Sequence, residues 1–336
     1  MASLTFGYLY DFRNPDQWKR DWHELYEETI ALAAWSEVAG FDAAWVPEHH
    51  LASDAYVPSP LIALAAIAAR TKRIRLGSAI ALAPLYHPLR FAADCVALDI
   101  LSNGRIEMAL AIGYRRREYE AFGLDFTKRG ARFDEFLAVV KALWAGETVD
   151  FEGQHFTLKE ARLMPPPPRG RIPIHIGGFV PKAMDRVARL ANGYFGNDGV
   201  YPLYIEKLKE HGRDPALARM LVPALFMVVA QDKAAAMDEL APFYHHVNNT
   251  YGAFMAEDQA IGMKNAGLAA MSLDAFKASG ILEIMTPDEA IARFRAMKAK
   301  APALEHLMFM RPPGLSAERF KFYAQQFAEK VMPVFV

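Results

Sequence analysis

The sequence predicts an α/β fold of the (β/α)8 TIM-barrel type, and three observations support this prediction. Eight short apolar segments recur along the chain, a segment with helical periodicity follows each of them, and 53% of the 336 residues are hydrophobic. Eight strand-helix units match a closed barrel rather than an open sheet. Because such barrels often exceed about 250 residues, we expect residues 1–336 to form a single domain.

The first four units follow one another without interruption. Short apolar runs predict strands over residues 4–10, 41–47, 74–82 and 105–112. Apolar residues at helical spacing predict helices over residues 24–40, 60–71, 88–101 and 129–144. The helix boundaries carry the expected signals, with Ser59 and Pro60 at a helix start and Gly40 and Asn103-Gly104 at helix ends.

The second half of the chain repeats the pattern with two insertions. Strands are predicted over residues 172–178, 193–197, 220–230 and 304–310, with helices over 181–191 and 202–211 and from Lys233 and Ser316. An insertion after strand four, residues 148–171, has room for a short hairpin before its proline run. A longer insertion of about 70 residues follows strand seven, and its length predicts a lid or substrate wall, with a dimer-contact helix as the alternative.

Composition excludes several classes of partner. With 38 basic and 39 acidic residues the formal net charge is -1, so no broad field would attract nucleic acid or an anionic membrane. No apolar stretch reaches the roughly 18 residues that a membrane helix needs. The single cysteine, Cys95, has no disulfide partner in the chain. We therefore expect a soluble cytoplasmic protein that acts on a small molecule.

The candidate catalytic residues follow strand two, because the active site of such a barrel forms at the carboxyl ends of its strands. These residues are Glu48, His49 and His50. Adjacent histidines point in different directions and rarely bind one metal ion together, so no metal site is predicted. A neutral imidazole beside a carboxylate suits general acid or base chemistry, whereas histidines held by the backbone are the structural alternative.

A phosphate site is predicted after strand five. Gly177, Gly178, Phe179 and Val180 precede a helix that begins near Pro181. Glycines allow backbone N–H groups to approach an anion, and the helix start adds a partial positive charge, although a tight turn would use the same residues. Aromatic residues near other strand ends offer surfaces for a flat ring. No serine-nucleophile elbow, Walker loop or metal-hydrolase motif is present, so hydrolysis has no nucleophile or metal.

At these residues the chain resembles the bacterial-luciferase-like family of flavin-dependent monooxygenases and their deazaflavin-dependent relatives. The resemblance covers almost the whole chain. It is carried by GFDAAWVPEHH (40–50), RGARFDEFLAVVKALWAGE (129–147), PIHIGGFVPKAMDRVARLANGYF (173–195) and the segment 77–123. The family's fold is a (β/α)8 barrel, in agreement with the strand count.

The resemblance implies roles for individual residues. It places His49 at the flavin, where the ring assists the reaction with dioxygen, and Glu48 beside it. It implies a non-prolyl cis peptide at Ala79-Ile80 under the flavin ring. The remaining implied contacts to FMN are Gly113 and Tyr114 along the ribityl chain, Gly177, Gly178, Phe179 and Val180 at the phosphate, and Asn197 near the ring.

Two positions depart from the luciferase pattern. Ala111 matches the reactive cysteine of the luciferase proper, and Ile112 matches the arginine after it that contacts the phosphate there, so light emission is not implied. Arg115, Arg116 or Arg117 are candidates for the missing positive charge, with a solvated basic cluster as the alternative.

These patterns together predict a monooxygenase that takes reduced FMN from a separate reductase and uses O2 to oxygenate a small organic substrate. The resemblance also implies a homodimer. No dinucleotide fingerprint for NAD(P)H is present, which agrees with reduction of the flavin elsewhere. The alternatives are a deazaflavin-dependent hydride-transfer enzyme and a flavin-binding barrel without catalysis.

Overall fold

The computed structural model describes residues 3–259 and 268–335, and its centre is a closed parallel barrel. The strands are β1 (Thr5–Leu9), β2 (Ala43–Val46), β3 (Arg75–Leu82), β4 (Ile106–Ala111), β5 (Val149–Glu152), β6 (Thr157–Ala161), β7 (Ile174–Gly177), β8 (Gly193–Phe195), β9 (Met220–Pro223), β10 (Met227–Val229), β11 (Glu283–Met285) and β12 (Leu304–Met310). The barrel closes in the order β1, β12, β9, β8, β7, β4, β3, β2. The predicted (β/α)8 barrel is therefore confirmed.

Helices surround this barrel, and most of them connect consecutive barrel strands. They are α1 (Trp22–Val38), α2 (Pro60–Arg70), α3 (Pro88–Leu101), α4 (Arg116–Ala121), α5 (Arg129–Trp144), α6 (Pro181–Leu190), α7 (Tyr201–Glu210), α8 (Lys233–Gln259), α9 (Leu273–Ala278), α10 (Pro287–Lys300) and α11 (Ala317–Lys330). The predicted starts at Pro60, Pro88 and Pro181 hold because proline suits the first helical position. Gly40, with a φ of 94°, follows the end of α1 as predicted.

The prediction for strand seven, residues 220–230, was wrong in one respect. The chain leaves the barrel after Pro223, turns, and forms β10, which pairs with β11 in a separate two-stranded parallel sheet. The turn is closed by the N–H of Met227, which donates to the carbonyl of Ala224 over 3.2 Å. An apolar run alone does not reveal this turn, because both halves of the run are buried or half-buried against neighbouring elements.

The predicted hairpin in the first insertion is present. Strands β5 and β6 pair in antiparallel fashion. The second insertion contains α8, α9, β11 and α10, so it is built largely from regular structure.

The interior of the barrel is filled rather than open. Trp45 of β2 extends across it, and a Cβ atom at Gly77 would lie 2.2 Å from the Trp45 ring, so only glycine fits there. Below Trp45 lies a polar layer in which Glu107 contacts His175 and accepts a hydrogen bond from Arg219 over 3.1 Å. The opposite, carboxyl end of the strands is the end at which barrels of this type carry their sites.

Helix α8 lies across part of that carboxyl end. The Tyr244 hydroxyl donates to the carbonyl of Met310, the last residue of β12, over 3.2 Å. Val247 packs in an apolar cluster with Leu9 at the end of β1. Farther along α8, Phe254 reaches the loop after β2. The insertion after strand seven thus places a long helix across the ends of β12, β1 and β2, and its role as a substrate wall stays a prediction.

Candidate active site

His49 lies at the end of β2 and is 7% exposed. Its Nδ1 atom is 3.1 Å from Oε1 of Glu118, a buried carboxylate at the start of α4. Because an ionised carboxylate only accepts hydrogen bonds, this contact assigns a proton to Nδ1, and Nε2 is the acceptor in the neutral form of the ring. The ring is otherwise enclosed by aromatic side chains, namely Tyr56, Tyr114, Tyr251 and Phe254, with centroids 4.9 to 6.0 Å away.

Glu118 is held in place by three donors to the same oxygen atom. Besides His49, Oε1 accepts the backbone N–H of His50 over 2.9 Å and Nη1 of Arg115 over 3.2 Å. Burial alone would raise the pKa of Glu118, but the hydrogen bond from His49 and the nearby positive charges hold this pKa below its usual value. Glu118 is therefore ionised at neutral pH and orients the imidazole.

Glu48 does not contact His49, which corrects the expectation that the adjacent carboxylate supports that ring. Glu48 instead lies 2.9 Å from Nε2 of His50. Its oxygens also accept the backbone N–H of Leu82 over 2.7 Å and the hydroxyl of Tyr86 over 2.9 Å. The physical reason is that consecutive side chains on an extended segment point in opposite directions. Glu48 thus joins the ends of β2 and β3, and its catalytic role stays a prediction.

The implied cis peptide between Ala79 and Ile80 is present. The pairing of β3 with β4 is interrupted at the same point, between Ser78 and Ala81. Ile80 is half-buried and lies over β7, where a Cβ atom at Gly177 would come within 2.7 Å of it. This arrangement brings the residues predicted under the flavin ring next to the first residue predicted at the phosphate.

The loop from Gly178 to Val180 leads into α6 as expected. Gly178 has a φ of 142°, which side chains disfavour, and a Cβ atom there would lie 2.6 Å from that of Ala183. Phe179 is 69% and Val180 58% exposed. Val180 precedes α6 without a side-chain hydrogen bond to the first turn, so that end of the helix is left uncapped by its own side chain. Pro181 has no N–H and the N–H of Ala183 donates to the carbonyl of Val180 over 2.8 Å, so in the first turn the N–H of Lys182 is the group left to bind an anion.

The other predicted contacts are more scattered. Gly113 has a φ of 70°, and Tyr114 beside it faces His49. Asn197 is exposed after β8, where its side-chain oxygen accepts the N–H of Gly199 over 3.0 Å. Arg115 is buried against Glu118, and Arg117 is exposed with Glu257 at 3.9 Å, so neither lies beside the loop before α6. Their assignments to a bound flavin remain predictions.

Sequence reasoning missed Glu118 as the partner of His49. It lies 69 residues farther along the chain, at the start of a helix of only six residues. The available signal was the segment GYRRREYEAFG, which contains Glu118 at the end of strand four. A carboxylate at a strand end in a barrel can reach the residue at the neighbouring strand end, but nothing in the sequence selects it from nearby Glu120.

A second buried charge cluster joins α8 to the loops beside His49. Arg13, after β1, contacts Asp54 over 2.6 Å and donates to the hydroxyl of Thr250 in α8 over 2.7 Å. The hydroxyls of Tyr56 and Tyr251 are 2.6 Å apart. Burial raises the pKa of both tyrosines, so both hydroxyls are protonated at neutral pH. The two tyrosine rings that face His49 from this side are therefore uncharged at neutral pH.

We expect Asp11→Asn to stabilise the protein at alkaline pH. Burial raises the pKa of Asp11 from 3.8 to about 6, against the opposing effect of Arg13. Because the folded pKa is higher, the folded state binds the proton more tightly, and stability is lost as pH rises through about 6. At about 1.4 kcal/mol for each pKa unit, this loss is about 3 kcal/mol at pH 8.

Urea unfolding at pH 4 and pH 8 tests this expectation. Asp11→Asn should gain stability over the unsubstituted protein at pH 8, and the gain should shrink at pH 4. Asp16→Asn, which changes a carboxylate that is 93% exposed, is the matched control and should show no such pH dependence. An equal gain for Asp11→Asn at both pH values would contradict the argument.

The model of the luciferase-like monooxygenase family matches residues 4–303. The chain belongs to this family. It is 28% identical to the oxygenase component of the flavin-dependent trigonelline monooxygenase of Acinetobacter baylyi, over 93% of this chain and 90% of that protein. It is 26% identical to an F420-dependent glucose-6-phosphate dehydrogenase of Amycolatopsis mediterranei, over 91% and 93%.

Among solved structures, a monooxygenase from Streptomyces bottropensis has the same fold. It superposes with a TM-score of 0.84 at 22% identity and covers 99% of this chain and 100% of its own. The prediction of a luciferase-like oxidoreductase is thus confirmed. Within the described residues no helix is long and apolar enough to cross a membrane, and no group of three or more potential metal ligands is found.

Proposed function

We propose that this family member is an FMN-dependent monooxygenase that uses reduced FMN and O2 to oxygenate a small organic substrate. One oxygen atom enters the substrate and the other leaves as water, with two electrons from the reduced flavin. The observation that carries the proposal is the Glu118-His49 pair, which presents an imidazole acceptor within an aromatic enclosure. A separate FMN-reducing partner is part of the proposal, because a relative that matches 93% of this chain is named as an oxygenase component.

The residues present fit FMN. The uncapped start of α6 and the exposed loop at Phe179 and Val180 suit one phosphate group. Lys182 in the first turn of α6 is exposed and adds one positive charge. The half-buried Ala79 and Ile80 supply an apolar surface for a ring, as part of the cluster that includes Leu9. Bound reduced FMN would supply the electrons that activate O2.

His49 is proposed to donate or accept a proton at Nε2 during the oxygenation. Glu118 keeps the Nδ1 proton in place and stabilises the ring when it is charged. The aromatic side chains exclude water from the ring, which strengthens the interaction of His49 with a polar atom of the bound molecules. Small apolar or aromatic substrates suit this enclosure best, since aromatic rings surround His49 and the hydroxyls of Tyr56 and Tyr251 bond to each other.

Ligand binding to the purified protein tests the choice of cofactor. FMN and F420 are titrated separately, and bound and free ligand are separated by equilibrium dialysis. We expect saturable binding of FMN and weaker binding of F420. F420 carries a longer charged tail, and the single uncapped helix start can bind only part of its charge. Riboflavin, which lacks the phosphate, is the matched control and should bind more weakly than FMN. Tight binding of F420 without affinity for FMN would overturn the proposal in favour of hydride transfer.

A further inference from the structure

Arg115 contacts both the Glu118-His49 pair and helix α8. Its side chain is 1% exposed. Nη1 donates to Oε1 of Glu118 over 3.2 Å and to the carbonyl of His50 over 2.8 Å. On its other side, Nη2 donates to Glu257 near the end of α8 over 3.2 Å. One side chain therefore connects the carboxylate that orients His49 to the helix across the barrel mouth.

The aromatic contact of Arg115 strengthens this connection. Its guanidinium carbon lies 3.7 Å from the centre of the Phe254 ring, and the same ring lies 5.4 Å from that of His49. A buried cation over an aromatic face is attracted by the electron density of the ring, so this contact favours the seated position of the helix. Phe254 and Glu257 are one helical turn apart on α8, so both contacts form only when this part of the helix is seated on the loop after β4.

The charge of Arg115 also acts on His49 through Glu118. Arg115 and His49 donate to the same oxygen atom, so the cation competes with the ring for the carboxylate. A positive charge at this distance disfavours protonation of the imidazole. Three other titratable groups face His49, and each packs its aromatic ring against the imidazole. They are Tyr56 from the loop after β2, Tyr114 from the loop after β4 and Tyr251 from α8.

We propose that Arg115 is a positioning residue that couples the seating of helix α8 to the charge environment of His49. With α8 seated, Glu257 shares the guanidinium with Glu118. With α8 displaced, the whole charge falls on Glu118 and a proton on His49 becomes less favourable. The inference rests on the proposed function, since it concerns the protonation of the proposed catalytic ring.

The test measures His49 directly in the protein without added cofactor. Histidine is labelled with ¹⁵N, the His49 signals are assigned with a His49→Gln variant, and the titration midpoint is followed by NMR. Arg115→Met should raise the midpoint by about one pH unit, because the competing charge is gone. Arg117→Met is the matched control: this exposed arginine neighbours the same Glu257 but does not contact Glu118, so the midpoint should stay in place.

Glu257→Gln is the second variant, and it leaves the buried contacts between Arg115 and Glu118 untouched. It should lower the His49 midpoint and speed amide exchange in residues 250–257. Failure of Arg115→Met to move the midpoint, or an equal shift with Arg117→Met, would overturn the coupling. An unchanged midpoint with Glu257→Gln would also overturn it. Because these readouts need no flavin, they fail or succeed independently of the FMN titration.

Discussion

Replacing His49 with Gln should lower the rate of product formation about 100-fold, the lower end of what a positioned acid or base contributes. Glutamine is close in size and keeps a polar end near Glu118, so the enclosure should persist while the titrating ring is lost. Oxygen consumption by reduced FMN should continue, and the oxygen should be released as hydrogen peroxide. The measurement compares product and peroxide formed for each reduced FMN supplied.

His50→Gln is the control for this variant. It changes the adjacent ring, whose contact is with Glu48, and the glutamine amide can still donate to that carboxylate. We expect a change of only a few-fold. If both variants lose product formation equally, the loss reflects disturbance of the loop after β2 rather than the chemistry of His49. Glu118→Gln should fall between them, because the neutral amide still accepts from Nδ1 without stabilising a charged ring.

The second large effect is expected at the loop before α6. Gly178→Ala places a methyl group 2.6 Å from the Cβ atom of Ala183 in the first turn of the helix, at a φ of 142°. The loop and the helix start must then move apart. We expect FMN affinity to fall by about tenfold to 100-fold, which corresponds to the 1–3 kcal/mol typical of backbone strain of this kind. Equilibrium dialysis with FMN measures the change.

Gly212→Ala is the matched control for Gly178→Ala. Gly212 also has a positive φ, 66°, but a Cβ atom there meets nothing within 4 Å. Gly178→Ala should therefore lose more stability in urea than Gly212→Ala, because it adds the close contact with Ala183 to the strain that a positive φ imposes on alanine. Only Gly178→Ala should lose affinity for FMN, and its affinity for riboflavin should change less. Equal loss of FMN and riboflavin binding would argue against a phosphate site at this loop.

Most of the barrel was predictable because its signals are local. Alternating apolar runs and prolines such as Pro60 and Pro88 determine where strands and helices begin, and these boundaries agree with the structure to within about two residues. The break in strand seven after Pro223 was not predictable, because the residues on both sides of the turn are equally apolar. The course of α8 over the barrel also depends on tertiary contacts such as Tyr244 with Met310.

The candidate site was predictable only in part, because it too depends on tertiary contacts. His49, Ala79-Ile80 and Gly178 lie at strand ends, where the barrel places functional groups whatever the details of packing. The partners of these residues depend on distances between different strand ends. The exchange of partners, with Glu118 on His49 and Glu48 on His50, follows from side-chain direction at the end of β2 and cannot be deduced from neighbouring letters in the sequence.

The filled interior of the barrel also limits the routes by which ligands can reach the site. Trp45 and the ionic layer around Glu107 and His175 plug the barrel below the site, and all three residues are almost fully buried. No ligand can pass through the barrel axis, so whatever reaches His49 arrives and departs on the side of the strand ends. If cofactor and substrate both enter by this route, the molecule that binds deeper must bind first and dissociate last. Substrate binding and product release then follow a fixed order.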